Sequence, residues 1–229
     1  MQGKKVVITG ANGGLGSAVT NTFLNAGATV AGVSLDIRQD SFAGPNFFAF
    51  ATELADSKRV AQLAQDVIAR LGQVDVLIHL AGGFAGGKPV TETDDATFEN
   101  MLNMNLRSSF MVFRAFLPIM RKTPGGRIVA MGSRAAEGAA PGIGAYGLSK
   151  AALISLVRTV AAENKDVGIT ANVVVPSTID TPANRASMPD ADPNRWIKPQ
   201  IIADLIFYLA GDSAAQLTGA VIPLYGRDV

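Results

Sequence analysis

Residues 6–35 carry no charged side chain, yet Gly10, Gly13, Gly14 and Gly16, with Asn12, Asn21 and Asn25, break the run, so it does not read as a membrane-spanning helix. Its periodicity changes midway. Residues 4–9 are β-branched, as a strand buried on both faces requires, residues 10–16 force a tight turn, and residues 14–26 follow a helical period that Gly27 ends. A second apolar strand, residues 28–34, comes next. Strand, glycine turn, helix, strand is the unit of a parallel sheet, because parallel neighbours need a crossover connection. The free N–H groups and the dipole at the helix start make the turn an anion site, with a dinucleotide pyrophosphate as its natural occupant; a purely structural turn is the alternative. The spacing, Thr9-Gly10 and then Gly14 and Gly16, differs from the GxGxxG form of the dinucleotide fingerprint.

The alternation continues along the chain. Residues 46–51 read as a third strand, residues 56–71 as an amphipathic helix with Val60, Leu63, Ala64, Val67, Ile68 and Leu71 inward, and residues 74–80 as a central strand. Residues 94–120 hold one long helical pattern, with Asn103, Asn105 and Arg107 on its wetter side. A fifth strand at 127–131, a helix from Gly144, a sixth strand at 169–175, a helix at 199–209 and a strand at 220–224 complete the pattern. The fold class is α/β: a single Rossmann-type domain over residues 1–229, with a doubly wound parallel sheet of about seven strands and helices on both faces. A composition of 48% hydrophobic and 17% charged residues with 24 Gly suits such a sheet. Residues 181–199 depart from it, with Pro182, Pro189, Pro193, Pro199 and the only Trp, Trp196. An irregular stretch of that length is expected to be a substrate lid, with a plain surface loop as the alternative.

Charge and rare residues exclude several functions. A formal net charge of +1 and the lack of any Lys/Arg block argue against a nucleic-acid partner. With no Cys and one His, a disulfide, a Cys nucleophile and a Cys/His metal site are excluded, and no metal is expected. His79, inside the central strand, reads as a buried structural imidazole. No membrane association and a cytoplasmic location are expected.

Chemistry concentrates at Tyr146 and Lys150, four apart at the start of an Ala-rich helix and so on one of its faces. An ammonium beside the phenol lowers the phenol's ordinary pKa of about 10, which suits Tyr146 to give and take a proton near neutral pH. Ala81-Gly82-Gly83-Phe84-Ala85-Gly86-Gly87, at the end of the central strand, leaves backbone open to close approach by a ligand.

In this order the motifs resemble the short-chain dehydrogenase/reductase family over essentially the whole chain. Residues 9–16 match its TGxxxGxG, Ala81 and Gly82 fall in its Asn-Ala-Gly motif, and Asn105, Ser133, Tyr146 and Lys150 fall at its catalytic tetrad. Pro176 and Thr181 match its proline motif. Two departures are Ser177 for the usual Gly, and His79-Leu80 where Asn is usual. The resemblance implies an NAD(P)-dependent oxidoreductase that transfers a hydride between a nicotinamide and a small-molecule carbonyl or alcohol, a ketoreductase such as the 3-oxoacyl reductase type. Tyr146 would give the proton, Ser133 would bond the substrate oxygen, Lys150 would hold the ribose and bias Tyr146 toward ionisation, and Asn105 would anchor a water. Cofactor contacts are implied for Gly10, Asn12, Gly13, Gly14, Leu15 and Gly16 in the turn, for Ser34, Asp36 and Arg38 at the ribose, and for Glu53 and Leu54 toward the adenine. Ala81, Gly82, Tyr146, Lys150, Pro176, Ile179 and Thr181 complete that set. Glu53 as a solvated loop carboxylate is the alternative.

Family register places the ribose-reading position at Ser34, whereas the usual distance beyond the glycines points to Asp36. Ser34 does not repel a 2′-phosphate and Arg38 is near enough to meet one, so NADP is favoured, although Gly13 and Leu35 stand where phosphate-preferring members often carry a base. Phe84, Met188 and Trp196 are expected as apolar walls of the substrate site, and Arg185 and Arg195 as groups for an acidic tail. Residues 81–87 and 180–192 also look like the corresponding loops of dihydropteridine reductases, which keeps imine reduction of a quinonoid dihydropterin as an alternative; Ser133 favours carbonyl chemistry. A non-catalytic dinucleotide-binding regulator and a nucleotide-sugar epimerase or dehydratase on a related fold are the two other classes, the first opposed by the intact tetrad. A homodimer or homotetramer built on the Asn105 and Tyr146 helices is implied.

Overall fold

Strand β1 (Lys5–Thr9) runs into the glycine turn and out through α1 (Gly14–Asn25). Gly10 makes this possible: its φ of +70° is open to glycine, and a Cβ there would lie 3.0 Å from the backbone nitrogen of Ala81. The computed structural model describes residues 1–227. β2 (Thr29–Ser34), β3 (Phe47–Ala51), α2 (Ser57–Leu71) and β4 (Val76–His79) follow. Asp56 starts α2 by accepting the Lys58 and Arg59 N–H groups, and five of the six inward positions are buried, with Ile68 at the rim.

The stretch expected as one helix from 94 to 120 is three segments: α3 (Asp95–Met101), a π-helical segment (Leu102–Arg107) and α4 (Ser108–Met120). The wider winding turns Asn105 inward, where it is fully buried rather than on a wet face. β5 (Arg127–Met131), α5 (Gly144–Glu163) and β6 (Thr170–Pro176) then complete the centre of the fold. Beyond them the irregular stretch contains α6 (Pro182–Ser187), capped by Thr181, before α7 (Pro199–Leu209) and β7 (Val221–Leu224). Its stem is tied by a bridge between Ile179 and Ile197 and by Asp180, which takes both Arg185 and Lys198 on its carboxylate at 2.5 Å.

All seven strands are parallel, in the order β3-β2-β1-β4-β5-β6-β7. Side chains alternate: Val6, Ile8, Val76 and Ile78 face the α1 and α7 layer, whereas Val7 and Leu77 face α2, α4 and α5. Each such side chain, once fully buried, contributes about 1.5–3 kcal/mol. The order reverses between β1 and β4, so a crevice opens beyond their carboxyl ends, where such sheets bind ligands. No helix among the described residues is long and apolar enough to cross a membrane.

Candidate active site

A cavity of about 860 Å³ occupies that crevice. Gly10, Asn12 and Gly13 of the turn, Ser34 and Asp36 after β2, Glu53 and Leu54 after β3, and Ala81 and Gly82 after β4 all line it. The glycine turn reaches across the crevice. A Cβ on Gly14 would lie 2.8 Å from the Thr181 side chain, so the turn and the end of the β6 loop touch with no room between them. Ser34 Oγ is buried without any hydrogen-bond partner, an acceptor and donor left for a ligand hydroxyl. Backbone N–H groups at a helix start, an elongated cleft and this unused hydroxyl together fit a dinucleotide.

The four positions form two pairs: Ser133 with Tyr146, and Lys150 with Asn105 beside Gly82, which lines the crevice. Ser133 Oγ accepts the Ala135 N–H and bonds the Tyr146 phenol, whose ionisation burial pushes upward and the Ser133 bond pulls back down. Lys150 is buried, donates to Met131 O at 2.9 Å, and is held by burial at a pKa of about 8. Asn105 grips Gly83 with both ends of its amide, Oδ1 accepting the N–H at 3.0 Å and Nδ2 donating to the carbonyl at 3.1 Å, and also donates to Ser149 Oγ. A Cβ on Gly82 would lie 2.6 Å from Asn105 Oδ1 and 3.3 Å from Lys150 Nζ, so this glycine marks the point where the two side chains converge. The Phe84 ring stands edge-on to Tyr146, centroids 5.0 Å apart, and is 66% exposed.

Several sequence expectations need correction. The Lys150 ammonium bonds Met131 rather than the phenol, so burial and not a neighbouring cation dominates at Tyr146. The Asn105 side chain bonds Gly83 and Ser149. Trp196 is buried and so is no open wall, while Arg185 is committed to Asp180. Arg38 turns to Asp40 on the surface and does not line the cavity, whereas Asp36 does, held by the Asn12 amide at 2.9 Å. Leu15 and Gly16 lie beneath the turn, buried in the α1 layer; Pro176 ends β6, Ile179 bridges to Ile197, and Thr181 caps α6.

Other contributors went unnoticed in the sequence. Asn100 lines the cavity from α3, as do Asn103 and Arg107 of the π-helical segment, which the sequence placed only on a wetter helix side, and Thr9 accepts the Ala81 N–H on its hydroxyl. The polar spacing of 100, 103 and 107 is a helical stripe that period counting finds once the helix is known to face a ligand.

A family model described as short chain dehydrogenase matches residues 4–192. The 2,3-dihydro-2,3-dihydroxybenzoate dehydrogenase of Escherichia coli K12 is 32% identical, aligned over 94% of this chain and 93% of its own length. A 3-oxoacyl-[acyl-carrier-protein] reductase of Thermotoga maritima is 28% identical over 99% of this chain and 98% of its own. Among solved structures, that of ElxO with NADP bound superposes with a TM-score of 0.92, at 25% identity and 98% coverage of each chain.

Proposed function

The chain belongs to the short-chain dehydrogenase family and is an NAD(P)-dependent oxidoreductase acting between CH–OH and C=O groups, and we propose that Asn105, Ser133, Tyr146 and Lys150 carry that reaction as a ketoreductase. One observation carries this reading: Ser133 lies on the Tyr146 phenol, while Lys150 and Asn105 converge over Gly82, at the end of a dinucleotide-sized crevice. The bound nicotinamide supplies the hydride. Tyr146, with its ionisation pushed upward, holds its proton at neutral pH and gives it to the substrate oxygen. Ser133 orients that oxygen through the hydroxyl that now rests on the phenol. Lys150, buried and cationic below a pH of about 8, draws the ribose hydroxyls and steadies the phenolate that the transfer leaves. Asn105 fixes the Gly82-Gly83 backbone beneath them. Residues 181–199 form the lid, hinged on the stem at Asp180.

The sequence favoured NADP through Arg38; the geometry favours NAD. With Arg38 on Asp40 and the Asp36 carboxylate at the cavity, a 2′-phosphate meets a like charge, whereas a 2′-hydroxyl finds acceptors at Asp36 and Ser34. The kcat/KM ratio over a panel of ketones tests both the activity and this choice. NADH is expected to lead by about tenfold or more, and Asp36→Ser to narrow the gap; an NADPH preference in the unmodified enzyme overturns the choice. A panel with no turnover, alongside cofactor binding, would point to the non-catalytic regulator.

A second reading rests on Phe84. Its exposed ring beside the proton donor offers a flat face that suits a quinonoid dihydropterin, reduced at an imine by the same residues. Turnover of the dihydropterin with no ketone turned over would select that reading. The exposed Phe110 on α4 and Leu148 on α5 support a homodimer or homotetramer built on these helices, which sedimentation velocity separates from a monomer.

A further inference from the structure

His79 is buried between β1 and α4, and its two ring nitrogens each meet a hydroxyl at 2.9 Å: Nδ1 that of Thr9, Nε2 that of Ser109. Each hydroxyl has one proton and is spoken for on its other side. Ser109 lies 2.6 Å from the Asn105 carbonyl, which can only accept, so its proton points there and its oxygen must accept from Nε2. Thr9 Oγ1 takes the Ala81 N–H at 3.2 Å on one lone pair and keeps its proton for a ring acceptor. The Ser109 end therefore sets one direction, from Thr9 through His79 and Ser109 to Asn105 O, and the Thr9 end accommodates it. In the buried, neutral imidazole the proton sits on Nε2 and Nδ1 accepts from Thr9.

The surroundings keep it so. Burial first, and the Lys150 ammonium second, hold its pKa at about 3, and the Phe113 ring of α4 packs on it at 5.6 Å between centroids. Every group in the chain has a partner, so the network holds the neutral ring with no polar atom left over. The two ends matter more than the middle. Ala81, which lines the crevice beside Gly10, rests on the buried Thr9 hydroxyl, and Asn105 grips Gly83 and stands over Gly82 next to Lys150. His79 thus spans the gap between the end of β1, beside the glycine turn, and the π-helical segment.

We propose that His79 is a positioning residue: as a neutral Nε2–H imidazole it ties the end of β1 to the π-helical segment through Ser109, and so sets where Asn105 stands relative to Lys150 and the Gly82 backbone. It touches neither substrate nor cofactor and moves no proton. The functional half of this claim rests on the tetrad reading; the hydrogen-bond half does not.

The chain has one histidine, so ¹⁵N-histidine spectra of the whole protein report it without overlap. The expected spectrum is a single Nε2–H tautomer that stays neutral on acidification through the ordinary imidazole range. An Nδ1–H tautomer, a mixture, or titration near 6.5 would overturn the proposal whatever the enzyme does. The second arm is Ser109→Ala, with Ser109→Thr to restore the hydroxyl, since a helical Thr also bonds the carbonyl one turn back. In Ser109→Ala the tautomer should shift toward Nδ1–H and kcat should fall by about tenfold to a hundredfold at unchanged cofactor affinity, with kcat recovering in Ser109→Thr. A folded Ser109→Ala enzyme with native kcat would reduce His79 to a core side chain. Loss of all activity in Tyr146→Phe and none in Ser109→Ala would leave the tetrad standing and remove only this proposal.

Discussion

At the scale of single residues, burial rather than pairing sets the charge states of the site. Tyr146 is pushed toward the neutral phenol, Lys150 down to about 8, and His79 down to about 3, in each case because the sheet and helices remove water from the group. The sign for His79 follows directly. Between pH 6.5 and about 3 the unfolded chain binds a proton that the folded one does not, so stability is full above 6.5 and falls as pH drops through that window. One such group contributes a slope of about 1.4 kcal/mol per pH unit. The stability difference between the parent and His79→Gln, from urea unfolding, should therefore shrink on acidification below pH 6.5 at about that slope; a difference independent of pH would show that His79 titrates normally. Lys150 acts in the alkaline window, its folded state shedding a proton from about pH 8 while the unfolded chain keeps it to 10.5.

At the scale of elements, the segment proposed as the lid is held at its stem. The Asp180 side chain is 6% exposed and takes Arg185 from α6 and Lys198 at the start of α7, which keeps its carboxyl well below the usual carboxylate range. Asp180 is flanked by Ile179 and Thr181, so the same clasp also orders the segment proposed to hold the nicotinamide. Asp180→Asn should raise KM for substrate and cofactor several-fold while leaving the far-UV spectrum intact, about the scale of other losses of lid order. Unchanged KM values would make the clasp a surface ornament. The elements themselves were legible wherever one period ruled: the alternation in β1 and β4 and the inward stripe of α2 need only burial on known faces. The π-helical segment was not, because one extra residue per turn leaves the pattern of apolar residues from 94 to 120 nearly unchanged while it rotates Asn105 from the wet side to the core. Trp196 escaped for a related reason, since a loop has no period from which to tell an inner from an outer face. The tetrad positions were readable through spacing and resemblance, but their partners were not: Lys150 on Met131 and Asn105 on Gly83 depend on backbone atoms, which carry no residue-type signal.

At the scale of the molecule, strand order brings the parts together. Thr9, Ala81, Ser133 and Thr181 are distant in sequence, yet all lie at the carboxyl edge of one parallel sheet, on either side of the β1/β4 reversal. The apolar layers on both faces make that edge rigid enough to hold backbone atoms as ligands, which a loop scaffold cannot do. The proposed function divides labour along this edge: the glycine turn and the β2 and β3 ends bind, and the β5 and α5 ends react. Tyr146 is the residue proposed to give the proton while adding little to cofactor affinity. The decisive measurement is therefore turnover and cofactor affinity of Tyr146→Phe beside the parent, on a ketone that the parent reduces well. Turnover should fall about a hundredfold to ten-thousandfold with the cofactor dissociation constant within about twofold of the parent. Near-native turnover in the Phe variant would contradict the assignment of Tyr146 as the proton donor.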